Sequence, residues 1–105
     1  MIINKITDNA RQEFKIQLSD GSEATIELFY SIRTLAWYLT LKYKEKEIYN
    51  IKLVSSIDNI LYQFENTLPF KIKVGTNTGF SPLFISDFVN GNNWLDITEI
   101  QNNLN

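Results

Sequence analysis

The chain has 105 residues, with 44% apolar residues, 13% aromatics and a formal net charge of −2. That length makes one domain, able to close a single hydrophobic core without staples, and the near-neutral, dispersed charge excludes the basic face with which duplex-binding proteins engage phosphates. Histidine and cysteine are both absent, which removes Ser-His-Asp and Cys-His catalysis, zinc centres with nitrogen and sulfur ligands and any disulfide framework.

The opening run Met1-Ile2-Ile3-Asn4-Lys5-Ile6-Thr7-Asp8 turns polar too early for the apolar segment of a signal peptide. No stretch approaches the ~20 apolar residues that a spanning helix needs. The expectation is a soluble chain made in the cytoplasm, with no membrane partner.

Phe14, Ile16 and Leu18 alternate with Lys15 and Gln17, the period-2 pattern of a strand with one buried face. Ser19-Asp20-Gly21-Ser22 follows, and Asp-Gly predicts a type I′ hairpin turn. Ala24, Ile26, Leu28 and Tyr30 alternate with Thr25, Glu27 and Phe29 in a second strand, antiparallel to the first. Ser31-Ile32-Arg33-Thr34 has neither Gly nor Pro, so a four- or five-residue loop is expected there.

Trp37, Leu39, Leu41 and Tyr43 make the apolar face of a third strand, with Tyr38, Thr40 and Lys42 opposite. Lys44-Glu45-Lys46-Glu47 is a charged hairpin tip, and Ile48 to Val54 forms a fourth strand with Tyr49, Ile51 and Leu53 on one face. Ile57, Ile60, Leu61 and Phe64 have i, i+3, i+4, i+7 spacing after Ser56, which predicts a short capped helix over 57–64.

Leu68-Pro69 ends that helix, and Phe70, Ile72 and Val74 give another strand. Gly75 to Gly79 reads as a loop that lacks the Gly-Lys-Ser/Thr ending of a phosphate cradle. Leu83 to Val89 reads as a loop with a helical turn at Ser86-Asp87-Phe88. After a turn at Gly91-Asn92-Asn93, Trp94 to Glu99 alternates as a last strand, and residues 101–105 are expected to fray.

The predicted fold is mainly β: residues 1–105 form a single domain, a small antiparallel β-barrel or sandwich of six to seven strands with one short helix. Glu23 and Glu27 on one strand face, and Glu45 and Glu47 at a tip, read as solvated carboxylates with ordinary acidity and poor general acids. Asp58, Asp87 and Asp96 suit capping or turn roles. No Asp-x-Asp-x-Asp-Gly calcium loop occurs. The residues point to a non-enzyme without metal or cofactor.

Phe29, Tyr30, Trp37, Tyr38, Tyr43 and Tyr49 crowd three neighbouring strands. One use for such a face is stacking on sugars or single-stranded nucleic acid, as oligonucleotide-binding barrels do. The other is core on one side and protein interface on the opposite side. Trp37 beside Tyr38, and Phe29 out of register with Leu28 and Tyr30, put aromatic surface on both faces of the sheet. Phe29, Tyr30, Trp37 and Tyr38 are therefore the candidate assembly residues, exceeding what one small core can shelter.

The run Leu28-Phe29-Tyr30, a short gap, then Trp37-Tyr38-Leu39-Thr40-Leu41 resembles the core motif of small phage baseplate plug proteins, typified by the plug of a cyanophage contractile tail. Leu53-Val54, Asp58-Asn59-Ile60-Leu61 and Pro82…Asp87-Phe88…Leu95-Asp96-Ile97 are similar to later parts of that pattern. The tip Lys44 to Glu47 departs from it in lacking a glycine, and Gln63 to Val74 does not align readily.

The resemblance implies a virion protein that closes or connects the tail tube at the baseplate centre. Its implied partners are further copies of itself in a ring, the hub or spike protein and the tail-tube proteins, and neighbours would cover its strand edges. The alternative reading is a small β-barrel module binding single-stranded nucleic acid or carbohydrate.

Overall fold

The computed structural model describes residues 1–100, so the expected frayed tail at 101–105 lies outside the described residues. Six strands follow in chain order: β1 (Arg11–Gln17), β2 (Glu23–Ser31), β3 (Ala36–Tyr43), β4 (Lys46–Lys52), β5 (Phe70–Thr76) and β6 (Asn93–Glu99). They form two antiparallel sheets, a four-stranded meander β1-β2-β3-β4 and a two-stranded β5-β6 hairpin. The mainly β class is as expected.

Alternation places Ile16, Ala24, Ile26, Leu28, Leu39 and Leu41 on the inner face of the meander, where all are buried. Phe70, Ile72, Val74, Leu95 and Ile97 line the inner face of the second sheet. These residues share one core, and the Tyr43 and Phe70 rings meet edge to face across the two sheets at 5.7 Å. Ile3 and Ile6, which lie in no strand, are buried with them.

The turns differ in detail from expectation. Gly21 has φ +90° while Asp20 stays out of the positive region, so the first hairpin does not use a type I′ turn. The Gly21 N–H donates to the Leu18 carbonyl and the Leu18 N–H to the Ser22 carbonyl, a three-residue loop with glycine in the left-handed position. The Asp20 carboxylate accepts from both the N–H and the hydroxyl of Ser22, and those two bonds hold its pKa below the ordinary aspartate value. The β2–β3 loop, Ile32 to Leu35 between the Ser31–Ala36 pair, has the expected four residues.

In β4 the register shifts: Leu39 pairs with Ile51 but Leu41 with Ile48, leaving Tyr49 and Asn50 together opposite Thr40. This is a β-bulge, with Asn50 in the left-handed region at φ +57°. The extra residue turns Ile48 inward and Tyr49 out to 60% exposure, which overturns the expected common face of Tyr49, Ile51 and Leu53. A bulge also twists an edge strand away from further pairing.

The helix expected over 57–64 is not formed; a single 3₁₀ turn spans Tyr62–Phe64. The Asn59 side-chain carbonyl accepts from the N–H groups of Leu61 and Ile72, and the Ile60 N–H donates to the Ile72 carbonyl. Those bonds tie the segment to the free edge of β5 instead of to itself, and Ile60 and Leu61 still reach the core. On the other side, Met1 to Ile3 pairs with β6 through an Ile2–Asp96 bridge. Both edges of the second sheet thus carry hydrogen bonds from other parts of the chain.

Gly75, expected to open a loop, lies inside β5 opposite Trp94. A Cβ at position 75 would stand 2.1 Å from the Trp94 indole, so the glycine is required because the ring lies flat on the strand. This is an aromatic cover for a glycine that would otherwise weaken the sheet.

Candidate functional site

The meander's register builds a transverse row on its outer face. Arg11 pairs with Phe29, Phe29 with Tyr38 and Tyr38 with Lys52, so two aromatics lie side by side between two cations. The Arg11 guanidinium sits over the Phe29 ring, 4.5 Å from its centroid. The Tyr38 hydroxyl lies 3.0 Å from the Thr34 hydroxyl. Phe29 and Tyr38 are half-buried and contribute to a shallow recess of about 480 Å³ with Arg11, Glu13, Glu27, Thr40 and Asn50.

Beside that row the surface is charged. The Lys42 ammonium lies 3.0 Å from the Glu27 carboxylate, and that hydrogen bond raises the lysine pKa. The Tyr49 hydroxyl donates to Glu47, which raises the phenol's pKa. Glu13 and Glu27 are register partners across β1 and β2, so acidic residues lie beside Phe29 as well as the Arg11 cation.

The other two expected assembly residues are core residues. Trp37 has no exposed surface and Tyr30 only 8%, and their rings pack at 5.4 Å with Phe88 edge-on to Trp37. Their polar tips point at one loop: the Tyr30 hydroxyl donates to the Leu83 carbonyl at 2.7 Å, and the Trp37 indole N–H to the Phe84 carbonyl at 3.4 Å. The structure therefore brings Phe29 to Tyr38 on the outside and Tyr30 to Trp37 on the inside, and the inner pair anchors residues 83 and 84.

That loop is the part of the surface the sequence pattern did not mark. It joins β5 to β6 over residues 77–92, longer than the ~15 residues beyond which structureless connections become uncommon. Three polar side chains knit it. Thr76 Oγ1 accepts from the N–H groups of Thr78 and Gly79 and donates to the Phe80 carbonyl. The Asn93 amide, 2% exposed, donates to the carbonyls of Gly75 and Phe80.

Asp87, also buried, accepts from the N–H groups of Leu83 and Phe84 at 2.8 and 2.9 Å and from the Asn92 amide. Burial alone would push its pKa up, but the bonds from Phe84, Asn92 and Leu83 outweigh it and hold the carboxyl below the ordinary aspartate value. The turn role expected for Asp87 is what these contacts show, and the Asn90 N–H to Ser86 carbonyl bond supplies the helical turn expected at 86–88.

Held on this frame, Phe80, Leu83, Phe84 and Val89 point outward with 68, 45, 59 and 53% exposure. At the same end of the meander as Tyr30 and Trp37, the β2–β3 loop exposes Ile32 and Leu35. The only signal for this surface in the sequence is composition: from Asn77 to Asn92 the chain holds five large apolar side chains besides Val89 and Pro82's ring, and Asp87 as its sole ionisable group.

Among the described residues no cluster of three or more Asp or Glu side chains has the spacing to hold a metal ion. No helix among them is long and apolar enough to cross a membrane. No protein-family model matches the chain, and no curated protein matches its sequence significantly.

Proposed function

We propose that this chain is a structural protein of a bacteriophage tail baseplate, a central plug or hub component that closes or connects the tail tube. It acts through protein–protein contacts rather than catalysis, with copies of itself and with hub, spike and tube proteins as partners, in the virion. The reading rests on the resemblance of the β2–β3 segment Leu28 to Leu41 to plug proteins. The observation that carries it is the outward display of large apolar side chains on a hydrogen-bonded loop frame, most strongly at Phe80 and Phe84. Interfaces are enriched in such aromatics and depleted of charge at their centres.

The test is co-expression with candidate tail-tube, hub and spike proteins of a contractile phage, followed by co-purification and immunolabelling of tails. Capture of a tail protein and label at the baseplate end are expected. A chain that binds none of these proteins and labels no part of a tail overturns the reading.

A second reading is favoured by one feature, the recess in which Tyr38 stands beside the Arg11-stacked Phe29. Such a shelf suits stacking of a sugar ring or an unpaired base. Calorimetric titration with oligothymidylate and a panel of oligosaccharides checks it: saturable heat lost in Tyr38→Ala supports this reading, and flat titrations remove it.

A further inference from the structure

We propose that copies of this chain associate through the loop-bearing end of the molecule, with Phe84, Leu83 and Leu35 at the centre of the contact, and not through the outer face of the meander. The inference deepens the assembly reading above but stands on geometry of its own. Two independent loops meet at this end, because the Tyr30 and Trp37 side chains that close the β2–β3 hairpin also hold the carbonyls of Leu83 and Phe84.

Backbone conformation marks one of these residues. Leu35 sits at φ +50°, a region that costs an L side chain roughly 1–2 kcal/mol and that glycine or asparagine would occupy more cheaply. It nevertheless presents an apolar side chain with 43% exposure. Strain of this kind occurs at ligand clamps and switch regions; in this chain Lys44 and Asn50 share it at a hairpin tip and a bulge, so the exposed apolar side chain is what sets Leu35 apart.

Area gives a second argument. Ile32, Leu35, Phe80, Leu83, Phe84 and Val89 expose 43–79% of their surfaces, which at on the order of 150–250 Å² for a large side chain sums to about 600 Å² spread over the two loops. That is close to the ~800 Å² per partner of a standard interface and at the upper end of the roughly 300–600 Å² patch of an ordinary monomer.

Charge admits a second copy as the occupant. The segment 77–92 carries no lysine or arginine, and its single carboxylate is buried and fully bonded. A surface meeting its own copy about a symmetry axis places like against like; residues 77–92 do so without charge repulsion, and Arg33 in the β2–β3 loop is the cation beside them in the proposed contact. Membrane-lying segments instead pair apolar side chains with a cationic face, which is missing here.

Because the frame is fixed by Asp87, Asn93 and Thr76, little ordering entropy is lost on docking. Sedimentation velocity of the purified full chain over a wide concentration range, with flotation against phosphatidylcholine–phosphatidylglycerol vesicles, tests the inference. The wild-type chain is expected to self-associate, and Phe84→Ser and Leu35→Asn each to weaken the association about 30-fold without lowering the thermal midpoint. Phe29→Ser on the outer sheet face is expected to leave it unchanged.

A monomer at every concentration, association lost in Phe29→Ser but kept in Phe84→Ser, or vesicle binding abolished by Phe84→Ser each overturns it. A monomer that still captures a tail protein refutes this inference and leaves the baseplate reading standing. A Phe84-dependent oligomer that captures none does the reverse.

Discussion

The meander (residues 11–52) and the β5–β6 unit with its long connection are stabilised in opposite ways. In the meander, each strand is joined to the next by a short loop, and pairing runs in unbroken register except at one bulge. Its polar side chains lie outside and hold little. In the second unit β5 and β6 pair over seven residues, but the connection 77–92 and the outer edge of β5 are held by buried polar side chains: Asn59 on β5's edge, Asn93 at the start of β6 and Asp87 in the loop. The difference teaches where single substitutions bite: apolar truncation injures the first region, polar truncation the second.

Trp37 joins the two regions and is expected to show the largest effect. Trp37→Ala should cost about 3–5 kcal/mol by urea denaturation, because it opens a cavity beneath Phe88 and frees the Phe84 carbonyl. Next come the buried amides. Asn93→Ala should cost about 1–3 kcal/mol, since Gly75 and Phe80 carbonyls lose their donor. In hydrogen exchange it should loosen residues 77–92 while β2 and β3 amides keep their protection. Equal loosening of both sheets would erase the proposed distinction.

Acid sharpens the comparison further. The folded-state pKa of Asp87 lies below its unfolded value, so its stabilising contribution is fully present above roughly pH 4 and is lost as pH falls through the folded pKa. Asp87→Asn should be less stable than wild type near neutrality, and the gap should narrow below that pH in an acid-resolved denaturation series. At the hairpin tip, Lys44 occupies φ +55°, so Lys44→Gly should stabilise the meander by up to about 1 kcal/mol. Breaking the exposed Lys42–Glu27 pair should leave the urea midpoint where it is.

The same contrast governs what was legible in the sequence. Alternation from Phe14 to Tyr43 read out three strands and their inner faces because side chains on a pleated strand leave a period-2 trace. That trace fails at the bulge, where Tyr49 and Asn50 share one partner and the face assignment of Tyr49 inverted. It failed again at Ile57 to Phe64, whose helical spacing was overridden by Asn59 bonding to β5.

Among the four aromatics singled out, period 2 already separated Phe29 and Tyr38 from Tyr30 and Trp37. The structure follows that separation, burying Tyr30 and Trp37 against the expectation that all four serve assembly. The exposed side chains at Phe80 and Phe84 had no periodic trace, since loop geometry set by three hydrogen-bonding side chains determines which way they point.

Residues 77–92 form a fixed frame presenting Leu83 and Phe84, and backbone ¹⁵N relaxation of the purified chain measures this directly. Order parameters of about 0.85 for Leu83, Phe84 and Asn92, matching those of β5 and β6, are predicted. Values below about 0.6 across the segment would contradict it, because a floppy loop could not hold those side chains ready for a partner.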